Sequence, residues 1–319
     1  MNRREQIFGL LDGDLEGNPP QTYVPAAFFC HFDPSCHQGP AAIEKHREFF
    51  QFTGMDFVKI QYERTFPHLE LKRPADWAKI PLLDREFFEP QAEVVRGLVA
   101  ALKSEAPVVV TLYSPFMCAA KVGGERTLVA HLQEDPEAVK RGLEIVTESL
   151  MVFVEECIRI GVDGFYHSTQ GGESGRFADR SLFTNYVKPF DLVIMSEINR
   201  RCPFNILHIC DYHRDTVGGY DDLTPFLDYP GHVVNCSPEI GGKTLTSTEI
   251  ARVFRRPFLG GMDRNGALAT GIETEVREAA RRALRHASDR FMLGADCTIP
   301  SARWENLRAA IDEAHNWLH

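Results

Sequence analysis

Asn205-Ile206-Leu207-His208-Ile209-Cys210 is a short apolar run, rich in β-branched residues, that closes on an imidazole and a thiol. It reads as a strand. Successive side chains of a strand point to opposite faces, so His208 and Cys210 share one face. These are ligand types that hold zinc tetrahedrally. A distant partner, Cys297, lies in Leu293-Gly294-Ala295-Asp296-Cys297-Thr298-Ile299-Pro300. His-Cys-Cys gives three protein ligands and leaves one position open, an arrangement that suits a catalytic zinc better than a structural one. A lone His-x-Cys in a strand is more often core packing, so the reading depends on where the fold puts Cys297.

Further apolar segments recur along the chain and predict strands at 23–27, 57–61, 108–113, 162–167, 205–210, 232–236, 258–261 and 291–294. Helical patterns separate them. After Pro136, the stripe Val139, Leu143, Val146, Leu150, Val154 and Ile158 keeps helical spacing, with Asp135 as the expected N-cap. Residues 274–286 are strong helix formers, and 306–317 read as a closing amphipathic helix. Eight strands alternating with helices predict an α/β fold, a (β/α)8 TIM barrel. No repeat or long linker divides the 319 residues, so one domain spanning 1–319 is expected. Residues 1–20 would form an N-terminal helical arm, and 62–107 a helical elaboration.

Active sites on such barrels gather at the carboxyl ends of the strands. His208, Cys210 and Cys297 all fall on that rim, which strengthens the metal reading. Cys236, ending the sixth expected strand, is a candidate fourth ligand, with Glu239, water or substrate as alternatives. Asp211 and Asp296 are candidates to orient the imidazole from its free nitrogen. Tyr113 and Tyr166 also reach the rim and are candidate cofactor contacts. His167, Gln170 and Asp263 are the candidate catalytic residues. The first two flank Gly171-Gly172, whose freedom would let a loop fold over substrate.

Lys and Arg total 35 against 45 Asp and Glu, a formal charge of −10 that disfavours nucleic acid or an anionic membrane as partner. No stretch has the length and apolarity of a membrane span. The eight cysteines show no tight disulfide framework, so a reduced, cytoplasmic protein is expected. A homo-oligomer is compatible with apolar barrel faces.

The same residues resemble the uroporphyrinogen decarboxylase superfamily, which includes zinc-dependent methylcobamide:coenzyme M methyltransferases. Ser114-Pro115-Phe116 before Gly123-Gly124 is similar to that group's Gly-Pro-Phe segment. Gly161-Val162-Asp163-Gly164-Phe165-Tyr166 and the later Phe183-Thr184-Asn185-Tyr186-Val187-Lys188-Pro189 resemble its fourth strand and following helix. Leu259-Gly260-Gly261-Met262-Asp263 resembles its Gly-Asn-[ILV]-Asp turn, with Gly261 in place of Asn. Cys297-Thr298-Ile299-Pro300 followed by Glu305-Asn306-Leu307 looks like its closing segment. Within the group, His-x-Cys with a late Cys marks the zinc methyltransferase branch, and cobalamin-independent methionine synthases share a related barrel and metal pattern.

This resemblance implies a small-molecule thiol held on zinc as a thiolate and methylated, with a methylated corrinoid on a partner protein as donor. The alternatives are a cofactor-independent decarboxylase or lyase and a non-catalytic zinc- or corrinoid-handling protein. A barrel metallohydrolase would prefer several His and Asp ligands. True uroporphyrinogen decarboxylases grip substrate carboxylates with an Arg-rich segment near the N-terminus. Here the corresponding Phe28-Phe29-Cys30-His31-Phe32-Asp33 has no arginine, and Gln61 stands where an aspartate is expected.

Overall fold

A computed structural model describes residues 2–12, 23–287 and 290–317. Seven parallel strands form a curled sheet: β1 (Val58–Ile60), β2 (Val108–Tyr113), β3 (Gly164–Thr169), β4 (Ile206–Ile209), β5 (Val233–Cys236), β6 (Phe258–Met262) and β7 (Phe291–Ala295). They pair in chain order, each with the next. Nearly every residue in them is buried, as expected where helices cover a parallel sheet. The eighth place belongs to residues 25–27. Ala27 N donates to Leu293 O (3.0 Å) and Leu293 N to Pro25 O (2.8 Å), while Asp56 N donates to Ala26 O (3.0 Å) just before β1. The strand expected at 23–27 thus shrinks to a single bridge, Ala26 against Leu293. Pro25 has no N–H to extend a ladder.

The expected helix after Asp135 forms over Pro136–Ile160, and the Asp135 carboxylate accepts from Ala138 N (3.1 Å). The two later helices run Glu273–Arg285 and Trp304–His315. The excursion after β1 is helical as expected. It holds a 3-10 turn at Pro74–Lys79, whose buried Trp77 donates to His131 Nδ1 (3.0 Å), and a helix at Arg85–Leu102. A short hairpin, Glu239–Ile240 with Lys243–Thr244, follows β5 and was not expected.

Of the N-terminal arm, Arg3–Asp12 is helical; residues 13–20 lie outside the described residues. The helix lies across the amino ends of the strands. Arg4 forks onto Asp163 (2.7 and 2.8 Å) just before β3, and Arg290, just before β7, donates to Leu10 O and Leu11 O. That end of the barrel is stoppered, which leaves the carboxyl end for chemistry. No helix among the described residues is long and apolar enough to cross a membrane.

Candidate metal centre

Cross-strand register decides which side chains enter the barrel. Tyr166 pairs with Ile206 and Ile206 with Val233; Ser168 pairs with His208 and His208 with Asn235. Paired residues of parallel strands share a face, and this set points inward. Tyr166 Oη donates to Asn235 Oδ1 (2.5 Å), and Asn235 Nδ2 reaches Leu259 O (2.8 Å) and Ala295 O (2.9 Å) across the interior. Cys210 follows β4 by one residue and keeps the inward phase, its N–H bonded to Thr169 O (3.0 Å). Cys297 follows β7 by two residues, held by Asp296 N donating to Met262 O (3.0 Å).

The three side chains meet. His208 Nε2 lies 3.3 Å from Cys297 Sγ, and the donor atoms of His208, Cys210 and Cys297 all lie within 4.8 Å of one another. All three are buried. One imidazole nitrogen and two sulfurs converging this closely can hold a metal ion. Gln170 Nε2 donates to Cys210 Sγ at 3.5 Å, and the Tyr166 ring lies 5.0 Å from the His208 ring at 33°. The two thiols titrate as a pair. A hydrogen bond from Cys297 lowers Cys210 well below an ordinary thiol, with His208 helping, and the same bond together with burial raises Cys297.

A cavity of about 330 Å³ opens above the trio. Tyr113, Tyr166 and Gln170 line it. His167 does not. One residue out of phase with Tyr166 and Ser168, it faces the surrounding helices, with Nε2 4.0 Å from Asp191 Oδ1. Burial pushes His167 down to about 3 and Asp191 up to about 7, so the imidazole stays neutral at pH 7. Asp263 is exposed and braces its own turn by accepting from Asn265 N (2.8 Å). Cys236 pairs with Ile209 rather than His208 and so faces outward, apart from the converging donors. Glu239 is occupied in the hairpin, accepting from Thr244 Oγ1 (2.6 Å).

Asp211 and Asp296 do not reach the imidazole; both turn to Arg264, and His208 Nδ1 is buried with no hydrogen-bond partner. The Gly171-Gly172 loop is pinned rather than free. Gly171 N donates to Glu173 Oε2 (2.8 Å), and Glu173 is paired with buried Arg176 (2.9 Å), which also binds Glu125.

Sequence reasoning missed Lys59, although a lysine in the middle of Phe57-Val58-Lys59-Ile60-Gln61 was the available signal. It is buried and lines the cavity. Its Nζ donates to Gln61 Oε1 and Thr298 Oγ1 (both 3.2 Å) and sits 4.7 Å from the Tyr166 ring centroid and 4.8 Å from that of Phe29. No carboxylate among the described residues pairs with it, and burial pushes it down to about 8 from 10.5. Between those values the unfolded chain binds the extra proton, so stability rises with pH across that window and the desolvation cost is fully present below it. Lys59→Met in the metal-free protein is therefore expected to stabilise the fold at pH 7 by about 3 kcal/mol, at 1.36 kcal/mol per pKa unit. The gain should fade as pH rises from 8 toward 10.5. Urea denaturation at pH 7 and 9.5 checks this; an equal effect at both would show that the charge is not the cause.

A search of curated proteins finds no match. Among solved structures, a methyltransferase from Methanosarcina mazei superposes with a TM-score of 0.79 over 98% of both chains, at 14% identity. A B12-independent methionine synthase from Shewanella sp. W3-18-1 gives 0.55 over 95% of both, at 11% identity. At such identities these likenesses speak for the fold alone. The profile of the uroporphyrinogen decarboxylase (URO-D) family matches residues 51–317, nearly the whole barrel, a span that includes His208, Cys210 and Cys297. The chain belongs to the uroporphyrinogen decarboxylase (URO-D) family.

Proposed function

We propose that this protein is a zinc-dependent methyltransferase that methylates a small thiol, the methyl group coming from a methylated corrinoid on a partner protein. The observation that carries the reading is the His208–Cys210–Cys297 trio at the floor of a cavity at the carboxyl end of the barrel. Tetrahedral zinc with bonds of about 2.0–2.3 Å sets its ligand atoms roughly 3.5 Å apart. The 3.3 Å between Nε2 and Sγ is already close to that. The donor set is soft and supplies three ligands, which leaves one direction facing the cavity. Zinc bound there would lower the pKa of a substrate thiol and hold it as the nucleophilic thiolate.

The chain's own groups prepare that step. Gln170 fixes the orientation of Cys210 Sγ, and Tyr166 restrains the imidazole plane. Lys59 supplies positive charge where a thiolate would gather. The substrate sulfur would form its bond to the methyl carbon as the bond to the donor breaks, with the electron pair leaving on the donor and the thiol proton released. The methyltransferase and methionine synthase names of the structural neighbours agree with methyl transfer, while the synthase, being B12-independent, lends no support to a corrinoid donor. Porphyrinogen decarboxylation fits less well: a substrate with several carboxylates needs several cations, and among the described residues the cavity is lined by no arginine and by two lysines, buried Lys59 and exposed Lys121.

Methylcobalamin, incubated anaerobically with the zinc-loaded protein and a panel of small neutral, cationic and anionic thiols, tests the proposal. Consumption of methylcobalamin absorbance with matching thioether, absent in the chelator-stripped protein, is expected. Zinc-loaded protein that methylates none of the thiols would count against the reading.

A further inference from the structure

The two cysteines of the trio come from separate loops, after β4 and after β7, and each has a carboxylate as its chain neighbour: Asp211 beside Cys210, Asp296 beside Cys297. Between them stands Arg264, from the loop after β6. Its Nη1 donates to Asp211 Oδ1 (2.8 Å) and to Asp296 Oδ2 (2.6 Å), and its backbone N–H donates to Asp296 Oδ1 (2.7 Å). All three side chains are buried, at 5%, 3% and 8% exposure. Arg214, half-exposed, adds a longer contact to the other oxygen of Asp211 (3.4 Å). A guanidinium always carries its charge, so this link persists across the working pH range.

We propose that Arg264 is a positioning residue that clasps the two cysteine-bearing loops and keeps their neighbouring carboxylates off the metal. The proposal rests on the trio being a metal site. Once a metal takes both as thiolates, two sulfurs that carry negative charge repel each other, and among the described residues no backbone hydrogen bond joins the two loops to hold them at one spacing. A single buried cation bonded to the residue next to each sulfur supplies that restraint. It also occupies two hard oxygen ligands that could otherwise swing toward a bound cation, so the donor set stays one nitrogen and two sulfurs. Among the described residues Arg264 makes no hydrogen bond to the trio and does not line the cavity; its charge also favours the Cys297 thiolate, an effect that Arg264→Lys keeps, so the clasp itself is read in ligand geometry.

The test compares the full-length wild type with Arg264→Met, Arg264→Lys and Asp211→Asn. Two readouts are used: zinc retention against a chromophoric chelator, and capture of phenylarsine oxide, which needs two thiols held together, by the metal-free protein. Loss of groups behind a metal's ligands typically lowers affinity 10–100-fold, and Arg264→Met is expected to fall by about that much. It should also capture phenylarsine oxide more weakly. Arg264→Lys should recover part of both, because the two side-chain bonds leave one nitrogen and an ammonium can serve both carboxylates. Should Arg264→Met fail to fold, Asp211→Asn weakens one arm of the clasp by removing its charge, while its amide oxygen can still accept, and is expected to move both readouts the same way by a smaller amount. Zinc retention and arsenical capture unchanged in the folded variants would overturn the clasp. Wild-type protein that captures the arsenical in an Arg264-dependent way but takes no zinc would instead remove the metal reading and leave the clasp standing.

Discussion

Cys297→Ser and His208→Ala are each expected to strip zinc from the purified protein, and with it methyl transfer. Both side chains are buried, with Nε2 and Sγ 3.3 Å apart, and the nearest carboxylates in the chain, Asp211 and Asp296, are held by Arg264 rather than free to replace a lost donor. Removing one leaves two ligands, too few to hold zinc against water. Changes to groups merely behind the ligands cost 10–100-fold, so loss of a ligand should exceed about 100-fold in affinity. Cys236→Ser and Asp263→Asn are the matched controls. Cys236 faces away from the trio and Asp263 is on the surface, so both should keep full zinc content by elemental analysis. Full stoichiometry in Cys297→Ser and His208→Ala would mean that the metal, if any, sits elsewhere.

Gly164→Ala is expected to cost at least about 3 kcal/mol, at or above the usual range for overpacking. A Cβ at Gly164 would lie 1.8 Å from Phe204 O and 2.5 Å from Phe204 C. That neighbour is backbone and cannot swing away. Phe204 N donates to Asp163 O (3.0 Å), and Phe165 N donates to Asn205 Oδ1 (3.0 Å), so both strands are stitched at this point. Relief would require β3 and β4 to separate, and that pairing carries the alignment of Ser168 with His208. With total stabilities of about 5–15 kcal/mol, such a loss takes a large share of the fold. Gly9→Ala is the contrast: in a helix, with nothing within 4 Å of the new Cβ, it should stabilise by roughly 0.5–1 kcal/mol. Denaturant midpoints measure both. A Gly164→Ala protein with the wild-type midpoint would show that the strand pair has slack the close approach does not suggest.

Properties that depend on a few neighbouring residues could be read in the chain itself. The period-2 run at 205–210 put His208 and Cys210 on one face, and the helical stripe after Pro136 with its Asp135 cap placed a helix that forms as expected. The barrel followed from the alternation of such segments, since a strand between helices has few ways to cover its two faces. Boundaries were less legible. The expected strand at 162–167 instead runs Gly164–Thr169, since its ends are set by where β2 and β4, both remote in sequence, pair with it.

The site divides along the same line. Whether Cys236 would join the trio, and His167 line the cavity as a candidate catalytic residue, depended on register between strands, and a shift of one residue reverses every facing. Only the pairing of Ile209 with Cys236 turned that thiol outward, and only the turn after β6 sent Arg264 inward where Asp263 had been expected. The chain alone determined the strand that carries His208 and Cys210, because side-chain alternation is a local property of the backbone. The closing of that pair by Cys297, 89 residues from His208, and its bracing by Arg264 were decided by the tertiary structure, because these contacts exist only once separate strands lie in register.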